Sequence, residues 1–191
     1  MAVPQTLEKL IRNLIGEPST GAEIGVWKGE TSAYLLESFS ELQMALIDPW
    51  KEWDESSSYA KRHQRTGRLV DSEWSSVYDE CLSRLGTYLP RLRVYQMESE
   101  QAAKLQWRPF DFVFIDANHT YESVKQDISL WMPLTTKLIC GHDYGGTYRG
   151  VKKAVLEFFD EKDVIAPGDR IWAVLLQSEP GLFRSSSEIS D

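Results

Sequence analysis

Apolar residues recur at Leu7, Leu10, Ile11, Leu14 and Ile15, the spacing of one helix face, and Gly16 with Pro18 supplies the stop. The period then changes. Residues 20–26 read as a short apolar strand, 25–30 as a turn, and 31–39 as a helix packing through Tyr34, Leu35 and Phe39. A second strand at 44–47 ends at Asp48 and Pro49, because proline cannot donate to a central ladder. Three more strands are expected at 91–97, 110–115 and 136–140. Their helices are expected at 99–105, along Tyr121, Val124, Ile128 and Trp131, and along Val151, Ala154, Val155, Phe158 and Phe159. The run 110–115 is nearly all apolar, as for a strand covered on both faces. Residues 163–165 and 171–176, joined by Ala166, Pro167, Gly168 and Asp169, predict a closing antiparallel hairpin. Strands alternating with helices imply an α/β fold with an open, mainly parallel sheet, Rossmann-like, with helices on both faces. In such a sheet ligands sit outside the carboxyl ends of the strands.

Two stretches break this rhythm. Residues 51–75 are polar, hold Lys61, Arg62, His63, Arg65 and Arg68, carry Trp53 and Trp74 near their ends, and read as an insertion or cap. A helical face resumes at Val77, Cys81, Leu82 and Leu85. The Ser-rich stretch 184–191 reads as a disordered tail, leaving 1–183 as a single domain. With 42% hydrophobic and 26% charged residues, collagen-like, disordered and coiled-coil classes are excluded. A net charge of −8 opposes a phosphate backbone or an anionic membrane, so a small molecule is the expected partner rather than nucleic acid or a membrane. The start shows no basic leader with an apolar run, which predicts a cytoplasmic protein. Cys81 and Cys140 form no C-x-x-C pair, so neither a disulfide framework nor a thiolate zinc site is expected. A homodimer packed through the first helix and exposed tryptophans is compatible with the sequence.

Glu23, Gly25, Gly29 and Thr31 spell Glu-x-Gly-x-x-x-Gly-x-Thr between the first strand and its helix. Glycines there allow a sharp turn and let a ligand lie against backbone, with helix N–H groups facing it. Asp48, at the end of the second strand, stands where a carboxylate accepts ribose hydroxyls. The dinucleotide fingerprint G-x-G-x-x-G is absent, which disfavours a nicotinamide-dependent oxidoreductase.

This loop with its downstream acid, the run Phe112-Val-Phe-Ile-Asp-Ala-Asn-His-Thr-Tyr121, Gly141-His-Asp-Tyr144, and Gly150-Val-Lys-Lys-Ala-Val155 resemble the class I S-adenosylmethionine-dependent methyltransferases. The resemblance covers residues 20–176 and is to the small-molecule O-methyltransferase branch. It implies a seven-stranded sheet and S-adenosylmethionine as cofactor. It places Glu23 and Gly25 at the methionine part, Gly29 and Thr31 in the same loop, Asp48 at the ribose, Glu98 and Ser99 at the adenine edge, and Asp116 near the methyl donor. Met97 and Ala117 stand where the family often has glycine.

Asp116, His119, His142 and Asp143 form a second constellation at the ends of two strands that are neighbours in this fold. In related enzymes the equivalents of Asp116 and of the pair His142–Asp143 hold a divalent cation. Carboxylates suit magnesium, whereas the imidazole of His142 suits zinc, iron or nickel. The alternative is that His142 and Asp143 shape the loop through backbone hydrogen bonds. His119, three residues after Asp116, is a candidate general base toward an acceptor hydroxyl. Tyr144, Tyr148 and Arg149 are placed to touch substrate or to cap the next helix. Trp50 and Trp53 are expected to wall the cofactor pocket or stack on a sugar, and Trp131 to lie in the core. The expected activity is methyl transfer to a hydroxyl of a small molecule, such as a sugar or secondary metabolite. The rival is a non-catalytic binding module on the same fold.

Overall fold

The computed structural model describes residues 2–51 and 71–176. Most of the expected cap, with Trp53 and the basic cluster 61–68, and the expected tail lie outside the described residues. Helix α1 (Val3–Ile15) leads into β1 (Thr20–Ile24), α2 (Glu30–Ser38) and β2 (Gln43–Ile47). Next come α3 (Asp71–Leu85), β3 (Leu92–Tyr95), α4 (Ser99–Ala103), β4 (Phe110–Ile115) and α5 (Tyr121–Trp131). The chain continues through β5 (Thr135–Gly141), α6 (Arg149–Phe158), β6 (Ile165–Gly168) and β7 (Ile171–Leu175).

The strands form one seven-stranded sheet in the order β3-β2-β1-β4-β5-β7-β6. The first five run parallel, and β7 pairs antiparallel with both β5 and β6. Alternation along the strands divides the core. Phe112 and Phe114 face Leu7, Ile11, Leu35 and Leu46 on one side, while Val113 and Ile115 face Val124, Ile128, Trp131 and Val151 on the other. Each fully buried side chain of this size stabilises the fold by roughly 1.5–3 kcal/mol, so the sheet is held from both faces. The apolar face of α1 is covered by the chain itself, since Leu7, Leu10 and Ile11 are buried in that first cluster. Among the described residues, no helix is long and apolar enough to cross a membrane.

Three details differ from the sequence reading. Helix α3 begins at Asp71, because Trp74 is the first of the apolar stripe Trp74, Val77, Cys81 and Leu85 rather than part of a polar cap. Strand β3 starts after Arg91, whose guanidinium is drawn away to donate to the carbonyls of Leu36, Phe39 and Leu42. That places a cation where the last carbonyls of α2 carry partial negative charge. Finally, Ala166, Pro167 and Gly168 belong to β6, and the turn is Asp169–Arg170. Pro167 is tolerated because β6 is the sheet edge. Both turn residues have positive φ, 48° and 59°, as a two-residue hairpin loop of the primed type demands.

Asp127 is buried on α5, accepts from the Ser99 hydroxyl at 2.5 Å, and burial raises its pKa to about 6. A carboxyl whose pKa is higher folded than unfolded contributes stability at low pH and loses it as pH rises through the folded value. Asp127→Asn is therefore expected to stabilise the protein at pH 8 by on the order of 1–2 kcal/mol, and to change little at pH 4. Denaturant unfolding at the two pH values checks this, and equal effects at both would contradict it.

Candidate active site

The strand order reverses between β1 and β4, and the backbone is tightly stitched there. The Gly25 N–H donates to the Ile47 carbonyl at 2.9 Å, Asp116 N–H to Ile24 at 2.7 Å, and His142 N–H to Ile115 at 3.1 Å. Gly25 has φ 88°, and a Cβ on it would sit 2.4 Å from the Asp116 carbonyl oxygen and 2.6 Å from Ala117. Glycine is thus demanded by the protein's own packing, before any ligand arrives. Gly29, with φ 71°, opens α2, and a Cβ there would press on Cys81 and Leu85 of α3 at 2.9–3.0 Å. The motif loop is clamped on both sides, and Thr31 lies in the first turn of α2.

Asp48 sits at the centre of this clamp. Its Oδ2 accepts from the N–H groups of Val26 at 2.8 Å and Trp27 at 3.0 Å, and its Oδ1 accepts from Trp50 N–H at 2.7 Å. Burial holds its pKa above the ordinary value, although those bonds pull the other way. The indole of Trp50 is buried, donates to the Trp27 carbonyl at 2.8 Å and packs edge-on to Tyr78. Beneath the loop, Glu23 is buried and accepts from the hydroxyl of Ser32. Burial raises its pKa to about 8, with Asp116 and Asp48 adding repulsion. Sequence reasoning missed Ser32, although its position in the first turn after the glycine loop was a usable signal.

Of the expected adenine-edge pair, Glu98 is exposed and Ser99 half-buried. The Ser99 hydroxyl donates to Asp127 and accepts from the Trp131 indole at 2.8 Å. Glu98 pairs with Lys51 at 2.6 Å, joining the loops after β2 and β3.

The second constellation does converge. Nε2 of His119 lies 3.3 Å from Asp116 Oδ1 and 3.0 Å from Asp143 Oδ2, and Nδ1 of His142 lies 3.4 Å and 3.7 Å from the same two oxygens. Burial alone would lower the His119 pKa, but hydrogen bonds to Asp116 and Asp143 and their charges raise it to about 9. His142 follows the same balance and is also raised. Burial of Asp143 is outweighed by His119, His142 and Arg170, which lower its pKa. The His119 ring lies 4.6 Å from that of Tyr148, so the β5–α6 loop forms one wall.

The β6–β7 turn forms another wall, which sequence reasoning missed. Arg170 pairs with Asp143 Oδ1 at 2.7 Å and accepts at its carbonyl from Tyr144 N–H, while the Asp169 carbonyl faces His142 Nε2 at 3.0 Å. A carbonyl only accepts, so Nε2 carries the proton and Nδ1 is turned toward the carboxylates. Asp116, His142 and Asp143 bring one donor atom each within 4.8 Å of one another. Two carboxylates and an imidazole oriented by a second partner fit a divalent ion of the manganese, iron or zinc kind better than magnesium alone.

The family described as "Methyltransferase domain" matches residues 22–144, a span running from β1 through the His142–Asp143 pair. The chain belongs to this methyltransferase family. Its sheet is the Rossmann-like fold of S-adenosylmethionine-dependent methyltransferases. It is similar to an O-methyltransferase from Bacillus cereus in complex with SAH, with TM-score 0.60 and 17% identity over 92% of this chain and 82% of that one. It is likewise similar to the O-methyltransferase TomG from Streptomyces achromogenes, involved in tomaymycin synthesis and in complex with SAM. There the TM-score is 0.60 at 14% identity, over 93% and 82%. A methyltransferase from Geobacter sulfurreducens gives 0.58 at 16%, over 92% and 78%. At these identities the likeness carries the fold and not the substrate. No curated protein matches the methyltransferase by sequence.

Proposed function

We propose that this methyltransferase moves the sulfonium methyl of S-adenosylmethionine to a hydroxyl oxygen of a small molecule. The observation that carries the reading is the convergence of Asp116, His119, His142 and Asp143, at 3.0–3.7 Å, where the end of β4 meets the glycine loop. A net charge of −8 supports a small acceptor over a nucleic acid.

In the reaction the hydroxyl oxygen attacks the methyl carbon, the C–S bond breaks to leave S-adenosylhomocysteine, and the hydroxyl proton leaves to a base. Holding oxygen, carbon and sulfur in line is the main task of the site. Asp116, whose carbonyl lies against Gly25, and the His119 ring beside its carboxylate would orient the acceptor oxygen. Asp116 and Asp143 hold a proton on His119 Nε2 and raise its pKa to about 9, so His119 would take the hydroxyl proton as the base once those carboxylates are neutralised and it has given up its own. A divalent ion bound to Asp116, His142 and Asp143 would supply a Lewis acid for that oxygen and neutralise the carboxylates that hold the His119 proton. Glu23, protonated below about pH 8 in the free protein, would ionise beside the ammonium of the cofactor.

Radiolabelled methyl transfer to a panel of hydroxylated sugars and phenols tests the reading. His119→Asn is expected to lower turnover at least 100-fold and to leave the dissociation constant for S-adenosylhomocysteine within threefold. Equal losses in both would remove His119 from the acceptor side, and methylation of RNA instead would overturn the acceptor class. For Glu23 the sign is fixed by its raised pKa. Cofactor binding favours the ionised form, so affinity rises with pH from 6 toward 8 and then levels. Calorimetry at several pH values checks this. Glu23→Gln should fold normally, bind about tenfold more weakly at pH 8 and lose the pH dependence, whereas a sloping profile in that variant would exclude Glu23 as its source.

A further inference from the structure

Trp27 stands in the middle of the motif loop with φ 53°, a conformation that a bulky residue adopts only where its surroundings impose it. They do so here through both backbone polar groups. Its N–H is held by Asp48 and its carbonyl by the indole of Trp50, itself at φ 40°. The result turns the Trp27 side chain out of the core, where it is 46% exposed. The exposed indole is not loose, for it meets Trp74 edge to face, with centroids 5.4 Å apart and planes at 85°.

Trp74 supplies the second, independent observation. It is 9% exposed, and its Nε1–H is buried with no acceptor among the described residues. Trp50, the other buried tryptophan of this cluster, donates to a carbonyl. Buried indole N–H groups nearly always find a partner, so an orphan beside a ligand loop marks a place for a ligand acceptor. A loop that holds one tryptophan outward at a conformational cost, next to a second with an unused donor, is built to grip something.

We propose that Trp27 and Trp74 form a further cofactor-holding element. The Trp27 ring covers one side of bound S-adenosylmethionine, and the Trp74 Nε1–H donates to one of its oxygens, of which the amino-acid carboxylate is the strongest acceptor. The cation of the sulfonium centre also favours an electron-rich indole face nearby. This rests on the cofactor reading above, and adds Trp27, a variable position inside the glycine motif, and Trp74, which lies outside it.

The test is calorimetric titration of the 191-residue chain with S-adenosylhomocysteine, alongside thermal unfolding, for wild type, Trp27→Gly, Trp27→Phe and Trp74→Phe. Glycine accepts positive φ without strain, and phenylalanine removes the orphan donor while keeping a ring. Trp27→Gly and Trp74→Phe should therefore unfold no lower than within a few degrees of wild type, yet bind at least tenfold and about fivefold more weakly, respectively. Trp27→Phe should recover binding to within threefold. Wild-type binding with both Trp27→Gly and Trp74→Phe within twofold of it would overturn the proposal and leave the cofactor reading intact. If Trp27→Gly unfolds, Trp74→Phe decides alone. No binding by folded wild type would overturn the cofactor reading and this element with it.

Discussion

The carboxylate of Asp48 is the interaction on which the site depends. It takes three backbone N–H groups from two different loops, those after β1 and β2, and so ties together the two strand ends that frame the cleft. Removing it would leave three partly buried donors without acceptors, each costing about 1–3 kcal/mol. Its burial is itself unfavourable to the charge, which explains why so many donors converge on it. The positive-φ conformations of Trp27 and Trp50 are held by the same anchor, which accepts from both of their N–H groups.

Around that anchor the protein arranges two acidic regions of opposite character. Glu23 and Asp48 lie under the loop with hydroxyl and amide partners, and burial pushes both toward the neutral form. Across the strand ends, Asp116 and Asp143 face His119, His142 and Arg170, and Asp143 is driven toward the charged form. One region is suited to receiving a cation from a ligand, the other to managing a proton or a metal. All five non-glycine residues with positive φ among the described residues, Trp27, Trp50, Asp143, Asp169 and Arg170, lie in the loops and turn around these two regions. Strain concentrated there, with an unstrained sheet beneath, is how a rigid scaffold presents groups in unusual directions.

Much of this was legible before the coordinates. Every position from Phe110 to Ile115 is buried, as a nearly all-apolar run implies, and Trp131 is core as its helical spacing requires. The meeting of Asp116, His119, His142 and Asp143 followed from placing two strand ends side by side. What local sequence could not carry were partners from distant elements. Pro167 and Gly168 have turn chemistry, but the turn shifted to Asp169–Arg170. There Thr6 donates to the Asp169 carboxylate at 2.5 Å, and Asp143 pairs with Arg170. The role of Asp48 in holding the loop was likewise hidden, because a carboxylate and the N–H groups it accepts share no pattern along the chain. Trp74 borders a polar stretch in sequence, and only the helix that aligns it with Val77, Cys81 and Leu85 shows it to be part of a buried stripe.

The most direct measurement is a calorimetric titration of the purified wild-type protein with S-adenosylhomocysteine, after treatment with a chelator. The expected result is one molecule bound per chain at micromolar affinity or tighter. A folded sample that takes up no S-adenosylhomocysteine would mean that the loop, Asp48 and Glu23 serve the fold alone.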